Sequence, residues 1–260
     1  MVEQIIINTF IVCIFSLIFI SINLVVGINI ISRFFDYKAQ IFLFVGIAWL
    51  GLSLPWIPET IKFFFLLLGA EIEALSLMVL YLIINIMAAP LFLIIWVYAM
   101  NQLTDLKDVV QRGLFYGTIV IVGLFEIMII ILGIIDPRLL LNPSKGVEVM
   151  GISLERYTVF WRFIPVSMFQ IFLLIIVLFT GILFSKESLE SDDLDVVLKG
   201  KFLLIAFISF TVGAGIDALF DVESLIGTVM KVIARIILMS SSVEFFMGFI
   251  LPERIKKLFI

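Results

Sequence analysis

Apolar runs of about 20 residues recur along the whole chain, and about 20 residues is the length that an α-helix needs to cross a bilayer. The 260-residue chain is 63% hydrophobic and 15% charged. A soluble domain has roughly a quarter of its residues charged, and no hydrophilic block here is large enough to fold by itself. The pattern predicts an all-α integral membrane protein. It would be a seven-transmembrane helix bundle that forms one domain over residues 1–260.

The second of the seven predicted spans contains two prolines. The spans cover residues 5–32, 41–68, 71–98, 113–135, 158–184, 202–219 and 225–251. Pro55 and Pro58 each lack a backbone donor and clash with the preceding turn. Either the span ends at Trp56 and a short interfacial helix follows, or one helix is broken at the prolines and continues. We favour the broken helix, because its length then matches that of the other spans.

The connecting segments give two local predictions and an orientation. Residues 136–157 are rich in turn-forming residues and predict a loop, and residues 191–195 (S-D-D-L-D) predict a solvated helix start. Ten lysines and arginines fall on one side of the predicted membrane and at most five on the other. The ten lie in segments 33–40, 101–112 and 185–201 and after Pro252. Because cytosolic loops are enriched in these residues, we predict a cell-membrane protein with its N-terminus outside and its C-terminus in the cytosol.

Three tryptophans, Trp56, Trp96 and Trp161, lie near the ends of predicted spans. Tryptophan is enriched where the hydrocarbon region meets the headgroups. We therefore interpret these residues as interfacial anchors.

The chain has no histidine and a single cysteine, Cys13. Without histidine, Ser–His hydrolysis, histidine-ligated zinc and haem with a histidine axial ligand are excluded. A single cysteine cannot form an intrachain disulfide. A net charge of −4 without a basic patch argues against nucleic-acid binding. No nucleophile–base–orienter set is visible, so the sequence predicts a non-enzymatic protein without a cofactor or a metal site.

Two cations, Lys231 and Arg235, lie on one face of the predicted seventh span, one helical turn apart. A lone cation at the bilayer centre costs about 2.5–3.5 kcal/mol, so two on one face need partners or water. Depth along the helices, at about 1.5 Å per residue, matches Arg235 to Glu126. The candidate partners of Lys231 are Glu59, Glu73 and Asp217. Together these residues predict either a polar pocket that opens outward or a buried ion-pair network that only fixes helix packing; Lys231 is also long enough to reach the surface.

Two known kinds of seven-span protein fit the sequence poorly. A retinal protein has a lysine in its last span, but Lys231 lies near the outer end and Arg235 follows on the same face. A transporter built of three plus one plus three helices would show related halves. The prolines of the two halves, Pro55, Pro58, Pro90 and Pro165, do not repeat in register, although inverted repeats can be invisible in sequence.

Two segments carry a family resemblance: L-K-G-K-F-L-L-I-A-F-I-S-F-T-V-G-A-G-I-D at Leu198–Asp217, and A-R-I-I-L-M-S-S-S-V-E-F-F-M-G-F-I-L-P-E-R-I-K-K at Ala234–Lys257. With P-W-I-P in the second span and F-E-I in the fourth, they resemble a prokaryotic, mainly archaeal, family of uncharacterised seven-transmembrane proteins. The family is similar in plan to the seven-helix sensor regions of histidine kinases. Because the chain stops soon after the seventh span, the resemblance implies output through a partner in trans.

The leading hypothesis is therefore a receptor- or sensor-like module in the lipid bilayer. It would take a small ligand from the outer side into an outward-facing polar pocket and act on a cytosolic or membrane signalling partner. One alternative is a small-solute or ion transporter. The other is a structural membrane protein whose buried charges only fix helix packing.

Overall fold

The chain was analysed as a computed structural model, which describes residues 2–68, 80, 82–135, 143–149, 152–157, 164–220, 222 and 224–259. Within these residues, seven helices are long and apolar enough to cross a membrane. The first span is Val2–Tyr37, the second joins Gln40–Leu52 to Ile57–Leu68, the third is Leu82–Leu103, the fourth Asp108–Ile135, the fifth Ile164–Leu189, the sixth Leu194–Leu219 and the seventh Leu225–Ile250. The predicted all-α seven-helix bundle is confirmed for the described part of the chain.

Several helices extend beyond the apolar runs from which they were predicted. The third span continues to Leu103, the fourth begins at Asp108 and the sixth at Leu194. Backbone hydrogen bonding continues into charged residues at a helix end, where water can solvate the side chains, so apolar length underestimates helix length. The predicted helix start at 191–195 is confirmed, because the Asp193 side chain accepts a hydrogen bond from the Asp195 amide at 2.8 Å.

The segment between the fourth and fifth spans contains a two-stranded antiparallel hairpin, Pro143–Val149 with Ile152–Tyr157. The paired residues run from Pro143 with Tyr157 to Val149 with Ile152. The sequence analysis predicted only a turn-rich loop here. Apolar and polar residues alternate in V-E-V and I-S-L-E, and this period of two is the strand signal that was missed.

The second span is a helix broken at its prolines, as predicted. Its first half ends at Ser53, a 3-10 turn covers Leu54–Trp56, and an α-helix resumes at Ile57. Because Pro55 and Pro58 cannot donate backbone hydrogen bonds, the α-helical ladder cannot run through this segment. Residues that lie progressively earlier in the first span contact residues that lie progressively later in the second. Both halves of the second span therefore run antiparallel to the first span, one after the other. The contacts in that order are Asn23 with Trp49, Phe19 with Trp56, Ser16 with Glu59, and Phe10 with Phe63.

The first, sixth and seventh spans form the centre of the bundle. The seventh packs against the sixth and the first, the first also packs against both halves of the second, and the sixth packs against the fifth. The third span lies between the second and the fifth, while the fourth packs mainly on the third. Four spans therefore converge around the seventh-span cations: the first, second, sixth and seventh.

A short helix, Glu253–Phe259, follows the seventh span and folds against the start of the sixth. The seventh span ends where Leu251 adopts a left-handed φ of 40° just before Pro252. The Lys256 ammonium then donates to the Asp195 carboxylate, and this hydrogen bond raises the pKa of Lys256. These contacts place the end of the described chain beside the start of the sixth span.

Gly51 is the tightest helix contact between the second and third spans and gives a direct test of the packing. A Cβ at Gly51 would lie 1.9 Å from Cγ of Phe92, whereas a Cβ at Gly117 of the fourth span would meet nothing within 4 Å. We expect Gly51→Ala to lower the free energy of unfolding by roughly 1–3 kcal/mol through overpacking. Gly117→Ala should leave it unchanged or raise it by up to about 1 kcal/mol, because alanine favours the helix. Thermal unfolding in detergent compares the two, and equal stability of both variants would contradict this packing.

Candidate functional site

The seventh span places two cations inside the bundle. The helix begins with Ser224, whose side chain accepts a hydrogen bond from the Gly227 amide at 2.9 Å. Lys231 and Arg235 follow four residues apart and share the face that turns toward the first and sixth spans. Arg235 is 0% exposed, which a guanidinium tolerates only when counter-charges meet it.

Arg235 is paired with a carboxylate from each of two other spans. Its Nη2 donates to Glu59 Oε2 at 2.5 Å, and its Nη1 lies 2.9 Å from Asp217 Oδ1. The third nitrogen, Nε, donates to the Ser16 hydroxyl at 3.1 Å. That hydroxyl is also 2.7 Å from Glu59 Oε2. Glu59 lies in the first turn after the break in the second span, so the break sets the position of this carboxylate.

Asp217 accepts hydrogen bonds from Lys231 and Trp56 in addition to its ion pair with Arg235. Lys231 Nζ is 3.3 Å from Asp217 Oδ1 and 3.0 Å from the backbone oxygen of the same residue. The indole Nε1 of Trp56 donates to Oδ2 at 3.1 Å. The Trp56 ring also lies 5.5 Å from Cζ of Arg235, which is within cation–π range. Glu59, Asp217, Lys231 and Arg235, together with Ser16 and Trp56, are called the ion network below.

The ion network lies in the half of the bundle where the first and seventh spans begin and the sixth span ends. Along the seventh helix, Lys231 and Arg235 are about 9 and 15 Å from Leu225 at the usual rise. Side-chain exposure is 0% for Arg235, 14% for Lys231 and Asp217, and 22% for Glu59. Arg235 is therefore the most buried of the four charged side chains, and Glu59 is the most exposed.

A layer of aromatic side chains lies farther along the seventh helix than the ion network does. One polar pair separates the two, in which Ser242 donates to Asn23 at 3.1 Å and Asn23 donates to the backbone oxygen of Trp49 at 3.3 Å. The aromatic layer consists of Trp49, Trp96, Phe207 and Phe245, each at most 1% exposed.

The rings of the aromatic layer pack tightly on one another. Trp49 and Phe245 stack with centroids 3.6 Å apart, and Phe207 meets Trp96 and Phe245 edge-on at 5.4 and 5.8 Å. These contacts join the second, third, sixth and seventh spans in the interior of the bundle.

Of the six predicted site residues, four come together, one lies outside the described residues, and one, Glu126, lies on the fourth span. Lys231, Arg235, Asp217 and Glu59 come together, and of the three candidate partners of Lys231 it is Asp217 that pairs with it. Glu73 lies outside the described residues.

The predicted match between Glu126 and Arg235 is wrong in the described structure. Glu126 lies on the fourth span, which packs mainly on the third, while Arg235 is paired with Glu59 and Asp217 instead. Oε1 of Glu126 is shielded from solvent and has no hydrogen-bond partner among the described residues. Equal depth along two helices does not make those helices neighbours.

The sequence analysis missed two members of the network, Ser16 and Trp56. Trp56 was interpreted as an interfacial anchor, as was Trp96, but they are 5% and 0% exposed and lie in the core; Trp161 lies outside the described residues. The signal that was available for Trp56 is its place inside P-W-I-P. At this helix break the indole N–H of Trp56 donates to the Asp217 carboxylate.

Comparison of the sequence with protein-family models and with curated proteins finds no match. The resemblance to an archaeal seven-span family therefore stays a prediction. The helices themselves establish the coarser conclusion, that this is a seven-span, multi-pass membrane protein.

Proposed function

We propose that this multi-pass membrane protein is a non-enzymatic, receptor- or sensor-like module in which the ion network is the ligand-responsive element. A small polar ligand would reach the network from the amino-terminal end of the bundle, which the distribution of lysine and arginine predicts to be the outer side. Binding would change the pairing of charges among three spans, the second, sixth and seventh. That change in helix packing is the signal that a partner protein would read.

The observation that carries the proposal is the position of the ion network relative to the aromatic layer. Charges inside a helix bundle commonly mark ligand or ion sites. Here Lys231 lies nearer than Arg235 to the start of the seventh helix, and Phe245 of the close-packed aromatic layer lies farther along it. A site that opens to one side only would fit a receptor better than a path that must open to both sides in turn.

One observation favours a transporter as the second candidate. The second span is interrupted at Leu54–Trp56, and Glu59 follows within one turn of the break. Broken helices beside charged residues are how many transporters build their substrate sites. If the protein is a transporter, the aromatic layer would be the gate on the cytosolic side of the ion network.

The proposal predicts that ligand binding depends on Lys231. We expect some small polar solutes to raise the melting temperature of the protein in lipid nanodiscs, and Lys231→Gln to lose that effect by at least tenfold in apparent affinity, about 1.4 kcal/mol. Lys201→Gln is the matched control, because Lys201 is exposed at the other end of the sixth span. Melting curves against a panel of small organic acids, amines and sugars provide the measurement.

The same solutes distinguish the two candidate functions. A receptor should bind them without protein-dependent uptake into proteoliposomes, whereas saturable uptake would favour the transporter. If no solute stabilises the wild-type protein and the charges can be replaced together without loss of stability or of cellular function, both candidates fail.

A further inference from the structure

We infer that Lys231 Nζ, Arg235 Nη1 and Trp56 Nε1 form a binding site for the carboxylate of a small anionic solute, and that the Asp217 side chain occupies this site as an internal substitute. The inference names the ligand class of the site, and its biological meaning rests on the receptor function proposed above. The exchange of one carboxylate for another at these three donors is the event that we propose.

The three donors converge on a single carboxylate. Oδ1 of Asp217 lies 3.3 Å from Lys231 Nζ and 2.9 Å from Arg235 Nη1, and Oδ2 lies 3.1 Å from Trp56 Nε1. An ammonium, a guanidinium nitrogen and an indole N–H are donors without acceptor capacity, so they select an anion over a neutral or cationic group. They come from the second and seventh spans, whereas Asp217 comes from the sixth.

The hydrogen-bonding capacity of Arg235 is not used up by Asp217. Nη1 is shielded from solvent, and among the described residues it has no hydrogen bond, although it lies 2.9 Å from Asp217 Oδ1. The short distance without hydrogen-bond alignment shows that Asp217 supplies charge here rather than a well-directed acceptor. A free carboxylate, which is not tied to a helix backbone, can align with Nη1 and Nζ at the same time.

The two carboxylates of the network differ in how well their own helices support them. Glu59 lies in the first turn of Ile57–Leu68, where the positive end of the helix dipole favours a negative charge. Asp217 lies two residues before the end of the sixth helix at Leu219, where the negative end disfavours it. Asp217 is therefore the carboxylate that is more readily displaced, and Glu59 remains as the fixed counter-ion of Arg235.

Charge balance sets the stoichiometry of the exchange. With Asp217 in place, two cations of the network face two anions, and Lys62 adds a further positive charge near Glu59. When the Asp217 carboxylate leaves, the network loses one negative charge. The vacated site therefore accepts one monoanionic carboxylate.

Chemical rescue of Asp217→Ala tests the inference. We expect this variant to melt at a lower temperature than the wild type in sodium chloride. Sodium acetate or formate at the same ionic strength should raise its melting temperature with the logarithm of the anion concentration. The rise should be on the order of 3–6 °C for each tenfold excess of the anion over its dissociation constant. Asp217→Ala combined with Lys231→Gln should not respond. Asp195→Ala is the matched control, because it also removes the partner of a lysine, Lys256, but at a more exposed site.

The outcomes separate this inference from the proposed function. Equal melting temperatures of Asp217→Ala in acetate and in chloride would overturn the carboxylate site, even if the wild-type protein binds some other solute. Rescue by acetate together with a wild type that binds nothing would support the site and overturn the receptor. If Asp217→Ala does not fold in chloride, Asp217→Ser is tested in the same way; recovery of folded protein only in acetate counts as rescue. Failure of both variants in both salts would show that Asp217 is not exchangeable.

Discussion

Arg235→Leu is expected to lower the free energy of unfolding by about 3–5 kcal/mol, which is the usual cost of removing one partner from a buried ion pair. The guanidinium is fully buried and meets Glu59 at 2.5 Å and Asp217 at 2.9 Å. Leucine would remove the cation that is hydrogen-bonded to Glu59, and Ser16 would lose the donor at 3.1 Å. The loss arises from the charges that remain behind and not from the volume of the side chain.

Reversible unfolding in mixed micelles at increasing SDS measures the effect. Arg33→Leu is the matched control, because Arg33 is 37% exposed and its 3.8 Å pair with Asp36 lies on the surface of the first span. Exposed pairs contribute about 0–1 kcal/mol, so this variant should remain close to the wild type. A wild-type stability for Arg235→Leu would show that Arg235 does not form this network.

Replacement of all four charges separates a structural role from a functional one. A buried ion network that is exchanged as a whole for apolar residues of similar size is often neutral, or stabilising by about 1–4 kcal/mol. We expect the variant with leucine or methionine at all four charged positions of the ion network to be at least as stable as Arg235→Leu. If it also equals the wild type, packing alone does not require the charges, and a ligand role explains why the chain carries them.

The sequence alone predicted those features of the fold that depend on a single helix. The seventh span, its two cations on one face and the break in the second span all follow from local rules of hydrophobic length, helical period and proline chemistry. The Lys231–Asp217 pair was also among the three pairings that depth along the helices predicted for Lys231. Depth was a sufficient guide here because a short connection makes the sixth and seventh spans neighbours.

The partner of Arg235 could not be predicted because it depends on which helices are neighbours. Glu59 and Glu126 are both intramembrane acids, and depth along a helix favoured Glu126. The actual choice is set by the first span, which packs against both halves of the second and against the seventh. Ser16 on that span joins Glu59 and Arg235 directly. A serine in an apolar helix carries too little sequence signal to reveal such a role.

Phe245→Ala is the second large effect that the structure predicts. Phe245 is 0% exposed, stacks on Trp49 at 3.6 Å and meets Phe207 at 5.8 Å. Removal of a buried phenylalanine ring costs about 3–5 kcal/mol through lost contacts and the cavity that remains. Phe179→Ala provides the control, since Phe179 is 51% exposed on the fifth span and its ring packs far less against the protein. The same unfolding measurement should separate the two variants clearly.

The functional consequence of Phe245→Ala depends on what the aromatic layer does. If the layer closes a receptor site, the cavity weakens the bundle, but proteoliposomes that contain the variant remain tight to protons and to small organic anions. If the layer is the inner gate of a transporter, removal of its central ring gives protein-dependent leakage of the solutes that bind the ion network. A pH-sensitive dye inside the vesicles and a labelled organic acid outside report both fluxes. Leakage through Phe245→Ala, with none through Phe179→Ala or the wild type, would contradict the receptor and favour the transporter.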